Sequence, residues 1–187
     1  GQIGVIAPGS ESPTLITALK ILKSFSLASE KMDFAIYLAL TNNSEGRIPV
    51  DIEKRLHSLP NRDQAYAISP VTNGLLLSAN THVGLLYAAR TLQQLIKPPD
   101  SVTSKSIIMI PQVRILDWPD MEERGQWGSN AEKDIMWTSA LKFNMVESGI
   151  EGVDYHRGAQ LSFDDRGVLQ VKVKESVLEE APYQGVK

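Results

Sequence analysis

A chain of 187 residues that is 42% hydrophobic can bury a sizeable core, and its length suits one domain plus part of another. A net charge of -3 gives no electrostatic reason to expect a nucleic acid or an anionic membrane as partner, and the absence of cysteine excludes disulfides and thiolate zinc sites. The longest apolar runs fall far short of the ~20 residues that span a bilayer, so a soluble protein is expected.

In chain order, Ile3 to Ala7 is a short apolar run ending at Pro8-Gly9 and reads as a first strand. This strand-like opening shows no secretory signal, and the expectation leaves room for a leader upstream. Ser12-Pro13 is an N-cap followed by proline at the first helical position, and Leu15, Ile16, Leu19, Ile21, Leu22 and Phe25 continue as an amphipathic helix. Phe34 to Leu40 is a near-continuous apolar run of strand length, which points to a central strand. Thr41 to Gly46 is turn chemistry, and Asp51 to Leu59 holds one or two helical turns capped by Asp51. Asn42, Asn43 and Glu45 could bind sugar or metal, although such polar runs are usually solvated connections.

Gln64 to Ser69 and Leu75 to Ala79 flank Thr72-Asn73-Gly74, which predicts an antiparallel hairpin. Asn80 or Thr81 can cap the next helix, whose stripe runs through Val83, Leu86, Ala89, Arg90 and Leu92 to Ile96 and is widened by Leu85 and Tyr87. Pro98 and Pro99 stop it. Ile107 to Ile110 and Val113 to Leu116 are β-branched runs broken by Pro111, as in an edge or kinked strand, and Asp117-Trp118-Pro119 ends them. The sum is an α+β fold: a small sheet carrying two helices, Pro13 to Phe25 and Thr81 to Ile96, on the same face.

After Gly125, residues 130–144 place Ile135, Met136, Ala140, Leu141 and Phe143 at helical spacing, and Met145 to Glu147 reads as a strand. Leu161 to Phe163 and Leu169 to Val173 alternate around Asp164-Asp165-Arg166-Gly167 as a hairpin. Ser176 to Ala181 is a further helix, leading to a strand that begins at Val186.

Gly84, Tyr87, Thr91, Leu92, Gln94 and Leu95 fit the pattern G-x-x-Y-x-x-x-T-L-x-Q-L, and Ile115, Asp117, Pro119, Arg124 and Gly125 come next as I-x-D-x-P and an Arg-Gly pair. Lys142-Phe143-Asn144 supplies a K-x-N element. In this order they resemble the β-N-acetylhexosaminidases of glycoside hydrolase family 20. The resemblance implies an accessory α+β domain over residues 1–116 and the first units of an incomplete (β/α)8 catalytic barrel over 117–187, continuing beyond Lys187. It also implies a glycan substrate, no cofactor, no metal and an exported parent enzyme.

In the resembled family the acetamido group of the sugar attacks the anomeric carbon, one Asp orients it and the adjacent Glu protonates the leaving oxygen. That D-E pair lies on the fourth barrel strand, so no catalytic residue is expected within this chain. Asp120 with Glu122-Glu123, and Asp164-Asp165, fall in turns and suit solvent better than catalysis. The family pattern assigns Arg124 to the tip of the first barrel strand, where a guanidinium fork holds hydroxyls of the terminal sugar. A salt bridge to Glu122, Glu123 or Asp117 is the structural alternative.

Trp127 is the second expected sugar-binding residue, since an indole stacks on the apolar face of a pyranose. Trp118 and Trp137 are assigned to structure, Trp137 on a buried helix face. His57, His82 and His156 are scattered, and Asp154 with His156 lacks a third metal ligand. Met145 to Gly149 stands where family 20 would show His-x-His-x-x-Asp, which leaves α-glucuronidases, family 84 hexosaminidases and a non-catalytic binding or spacer module as alternatives.

Overall fold

The structure, a computed structural model, describes residues 3–9, 12–24, 33–44, 46–96, 110–127, 131–147, 159–167, 169–173 and 175–186. Two compact units divide the chain, Gly1–Asp120 and Met121–Lys187.

Five strands of the first unit form one sheet in the order β1-β2-β4-β3-β5: Ile3–Ile6 (β1), Phe34–Leu40 (β2), Tyr66–Val71 (β3), Gly74–Ala79 (β4) and Ile115–Asp117 (β5). β1, β2 and β4 run parallel, while β3 is antiparallel to both β4 and β5. The β3–β4 hairpin turns at Thr72-Asn73, and Asn73 takes the left-handed conformation (φ 52°) that asparagine tolerates.

Strand periodicity sorts the core. Ile36, Leu38 and Leu40 of β2, Tyr66 and Ile68 of β3, and Leu75, Leu77 and Ala79 of β4 share one face, where they pack against Leu15, Ala18, Ile21 and Leu22 of Pro13–Lys23 (α1) and Leu85, Leu86, Ala89 and Leu92 of His82–Leu95 (α3). Each fully buried leucine or isoleucine among them contributes about 1.5–3 kcal/mol. The two helices therefore lie side by side on the same face, as their stripes require. The alternate strand residues Ala39, Leu76 and Ala67, with Ala65 just before β3, meet Ile48, Ile52, Leu56 and Leu59 on the opposite face. This second layer comes from Val50–Ser58 (α2), a full helix where the sequence suggested only one or two turns.

Several boundaries differ from the sequence reading, each for a local reason. α1 ends at Lys23, and Phe25 lies outside the described residues. Ser12 occupies the N-cap without a side-chain cap bond, its hydroxyl lying 3.1 Å from that of Thr14. α2 begins one residue before Asp51, with Pro49 at the N-cap, so Asp51 sits in the first turn, where its charge complements the helix dipole. Thr81 is the cap of α3, accepting from Gly84 N at 3.3 Å. Asn80 instead ties the surrounding loops, donating to Leu56 O (2.9 Å) and Arg62 O (3.0 Å) and accepting from Thr41 Oγ1 (3.0 Å).

Ile110 to Arg114 is not strand, so β5 is only three residues long; residues 107–109 lie outside the described set. Pro111 has no N–H for a ladder. Pro70 does lie inside β3, opposite Leu75 of β4, but the pairing of β3 with β5 covers only Tyr66 to Ile68.

In the second unit, Gly125–Trp127 (β6) and Met145–Glu147 (β7) pair in parallel, joined through Ala131–Ala140 (α4). Ala159–Phe163 (β8) and Leu169–Val173 (β9) form the expected antiparallel hairpin. Glu175–Gln184 (α5) is longer than expected and carries Pro182 inside it. No strand begins at Val186. Gly185 is left-handed (φ 65°), and Val186 N donates to Ala181 O at 3.0 Å while Gly185 N donates to Pro182 O at 3.3 Å, the paired bonds that end a helix.

Candidate functional site

The helix motif and the aspartate after it converge on one buried group. Tyr66 of β3 places its hydroxyl 2.5 Å from Thr91 Oγ1 of α3 and donates to Asp117 Oδ2 of β5 at 2.5 Å. Burial, then the bond to Asp117, pushes the phenol far above its usual value of 10.0. Gly84 is required by contact: a Cβ there would stand 2.5 Å from Ala65 O and 2.7 Å from Ala79 Cβ, so only glycine lets α3 approach the sheet this closely. Tyr87 and Leu92 are buried in the same core. These motif residues thus hold the helix, the hairpin and the last strand together, and none of these contacts requires a ligand.

Arg124 and Asn144 form a second constellation. Asn144, 5% exposed, accepts from Arg124 N (2.8 Å) through Oδ1 and donates to Glu122 O (2.8 Å) through Nδ2, while its own N–H donates to Arg124 O (2.8 Å). The guanidinium of Arg124 donates to Met121 O at 2.6 Å and Lys142 O at 2.7 Å. Lys142 presents that carbonyl from the left-handed region (φ 60°), where the end of α4 closes with Phe143 N donating to Thr138 O at 2.9 Å. Gly125 is again a contact requirement, since a Cβ would stand 2.8 Å from Met145 O of the neighbouring strand.

Arg124 directly precedes β6, which starts at Gly125, so it stands at the amino end of that strand. At least two of its five donors are committed to main-chain carbonyls. Trp127 stands at the other end of β6, in register with Glu147, and its side chain lies outside the described residues. The K-x-N element hinted at this clasp, since its Lys and Asn both bond Arg124, but no spacing rule says that a helix end and a strand start will meet.

The remaining candidates separate. Trp137 is 52% exposed, not buried, because α4 turns Ile135, Thr138 and Ser139 inward; Trp118 is 37% exposed. Glu122 and Glu123 are exposed, and Asp164 bonds Arg166 through its N–H (2.9 Å) and guanidinium (3.3 Å), which fixes a turn. His57 is exposed on α2, and burial holds His82 below the usual histidine value. Asp154, His156 and Glu45 lie outside the described residues, among which no group of three or more metal-ligating side chains occurs.

Asn43 does enter a cavity. At the carboxyl ends of β1 and β2, Ile6 to Gly9, Tyr37 to Ala39, Asn43, Ser44 and Arg47 line a crevice of about 160 Å³. The Arg47 guanidinium carbon stands 5.5 Å from the centre of the Tyr37 ring, within cation–π range.

A family model, Glycosyl hydrolase family 20, domain 2, matches residues 16–118, over half of the chain. The chain belongs to this family. The match runs from within α1 to just past β5, so the Tyr66, Thr91 and Asp117 group is internal to it. No curated protein matches the sequence.

Solved structures share the fold of this chain over nearly its whole length. CpGH84B is 16% identical with a TM-score of 0.60, covering 98% of this chain and 32% of its own. The GH20 exo-β-N-acetylglucosaminidase from Vibrio harveyi, in complex with N-acetylglucosamine, is 16% identical with a TM-score of 0.59, covering 100% of this chain and 32% of its own. A GH138 enzyme targeting pectin rhamnogalacturonan II is also 16% identical with a TM-score of 0.59, covering 100% and 30%. At such identity the likeness is one of fold, and the chain spans about a third of the length of these proteins.

Proposed function

We propose that this chain is the accessory domain and the opening of the catalytic region of a glycoside hydrolase acting on N-acetylhexosamine-containing glycans. The observation that carries the reading is the order of parts: a family 20 domain over residues 16–118, succeeded at once by the parallel β6–α4–β7 unit. A strand, helix and parallel strand in succession is the repeat of a (β/α)8 barrel. The structural matches also run over 98–100% of the chain, past the family 20 domain.

Active sites of such barrels lie at the carboxyl ends of the strands. Trp127 is at that end of β6 and is the proposed sugar-facing residue. Arg124 is at the other end, and its bonds to Met121 O and Lys142 O support a role in fastening the unit. In this reading the whole protein hydrolyses by substrate assistance, with the acid and the acetamido-orienting carboxylate supplied outside residues 1–187.

Steady-state hydrolysis of an aryl β-N-acetylglucosaminide tests it. The whole protein should turn the substrate over, Trp127→Ala should lower kcat/KM by about tenfold, and residues 1–187 alone should match the uncatalysed background. A whole protein inactive on aryl β-N-acetylhexosaminides would overturn the reading.

A further inference from the structure

The chain leaves β1 toward α1 on one face of the sheet and leaves β2 toward α2 on the other. Where successive parallel strands send the chain to opposite faces, a crevice opens outside their carboxyl ends, which is where open sheets with parallel strands take their ligands. The cavity lined by Ile6 to Gly9, Tyr37, Asn43, Ser44 and Arg47 is that crevice. We propose that it is a saccharide-binding site on the family 20 domain and that it takes a single sugar ring.

Size limits the occupant first. About 160 Å³ is well below the ~300–1,000 Å³ of pockets for drug-sized ligands, so only a small molecule fits. The lining then sets the chemistry: a guanidinium whose planar fork matches vicinal hydroxyls, an amide and a hydroxyl that both donate and accept, and main-chain groups of the Ala7 to Gly9 loop. Contact with the Tyr37 ring holds the Arg47 guanidinium at the wall, which lowers the entropy lost when it grips a ligand. Asn43 and Ser44 follow the carboxyl end of β2, which places their side chains beside Arg47 at the crevice.

The inference rests on the first unit and not on hydrolysis by the whole protein, so either can fail without the other. Amide chemical shifts of the 187-residue chain, monitored through a titration with N-acetylglucosamine and separately with glucuronate, provide the test. Saturable shifts at Ile6, Ala7, Gly9, Tyr37, Leu38, Ala39, Asn43, Ser44 and Arg47, with a Kd on the order of 1 mM for a single ring, are expected. Arg47→Ala should abolish them and Asn43→Ala should weaken them at least threefold, with both variants still folded because both side chains are exposed. Arg47→Lys should restore little, since the fork and not the charge is the grip. No saturation with either sugar, or shifts that survive Arg47→Ala, would overturn the proposal, and a response to glucuronate alone that lysine fully rescues would overturn the saccharide assignment in favour of simple anion attraction.

Discussion

Tyr66 and Asp117 face each other across the β3–β5 ladder, and the phenol donates to the carboxylate at 2.5 Å while lying 2.5 Å from the Thr91 hydroxyl. One buried proton donor therefore joins the hairpin, the last strand and the long helix of the first unit.

Because burial and Asp117 raise the Tyr66 phenol above 10.0, the neutral form is the one the fold holds. By linkage this contribution is complete below pH ~10, where an unfolded tyrosine is also neutral, and is lost as the pH rises beyond it. Tyr66→Phe should cost about 1–3 kcal/mol at pH 7. Urea unfolding at pH 7 to 11 should also show a shallower alkaline decline for the variant than for the parent.

Gly84→Ala sets helix propensity against contact. Alanine would add about 1 kcal/mol of helix stability. Its Cβ would meet Ala65 O at 2.5 Å, an atom of the backbone that cannot rotate away, so overpacking wins. A net loss of about 1–3 kcal/mol in urea unfolding is expected, and a gain would show that α3 can lift from the sheet at little cost.

Arg124→Ala should destabilise the second unit by roughly 1–3 kcal/mol through the lost bonds to Met121 O and Lys142 O. Asn144→Ala acts on the same loop, so the double variant should lose less than the sum of the singles. In the whole protein, kcat/KM of the folded Arg124→Ala enzyme should stay within about threefold. A tenfold fall in kcat/KM with unaltered stability would return Arg124 to the sugar.

Lys142→Gly should raise stability by a few tenths to about 1 kcal/mol. The left-handed backbone at φ 60° costs a non-glycine residue about 1–2 kcal/mol, of which the greater freedom of glycine in the unfolded chain takes back part. A rise in melting temperature checks this, with the Arg124 bond retained because it is made to the main chain.

The first unit was readable from its sequence wherever one periodicity governed. Leu85, Leu86, Ala89 and Leu92 could face only one way on a helix, and Phe34 to Leu40 could bury both faces only as a central strand. The strength of α2 was hidden because a single residue of it, Leu56, is buried, so its stripe is narrow. The strand at Val186 was misread because a left-handed Gly185 lets a helix-ending turn bury an isolated valine. The site was less legible. The motif named Arg124, but whether it starts or ends a strand depends on Asn144 and Lys142, some twenty residues away.

Among the described residues, Pro70 sits where β3 has no outer neighbour, since pairing with β5 stops at Ile68. A bare stretch of strand invites a strand from another molecule, and continuous sheets between molecules begin at such places. The imide nitrogen of Pro70 has no hydrogen to offer an incoming chain. The residue that sequence rules would strike from a strand is thus what lets this one stop short without becoming a seed for aggregation.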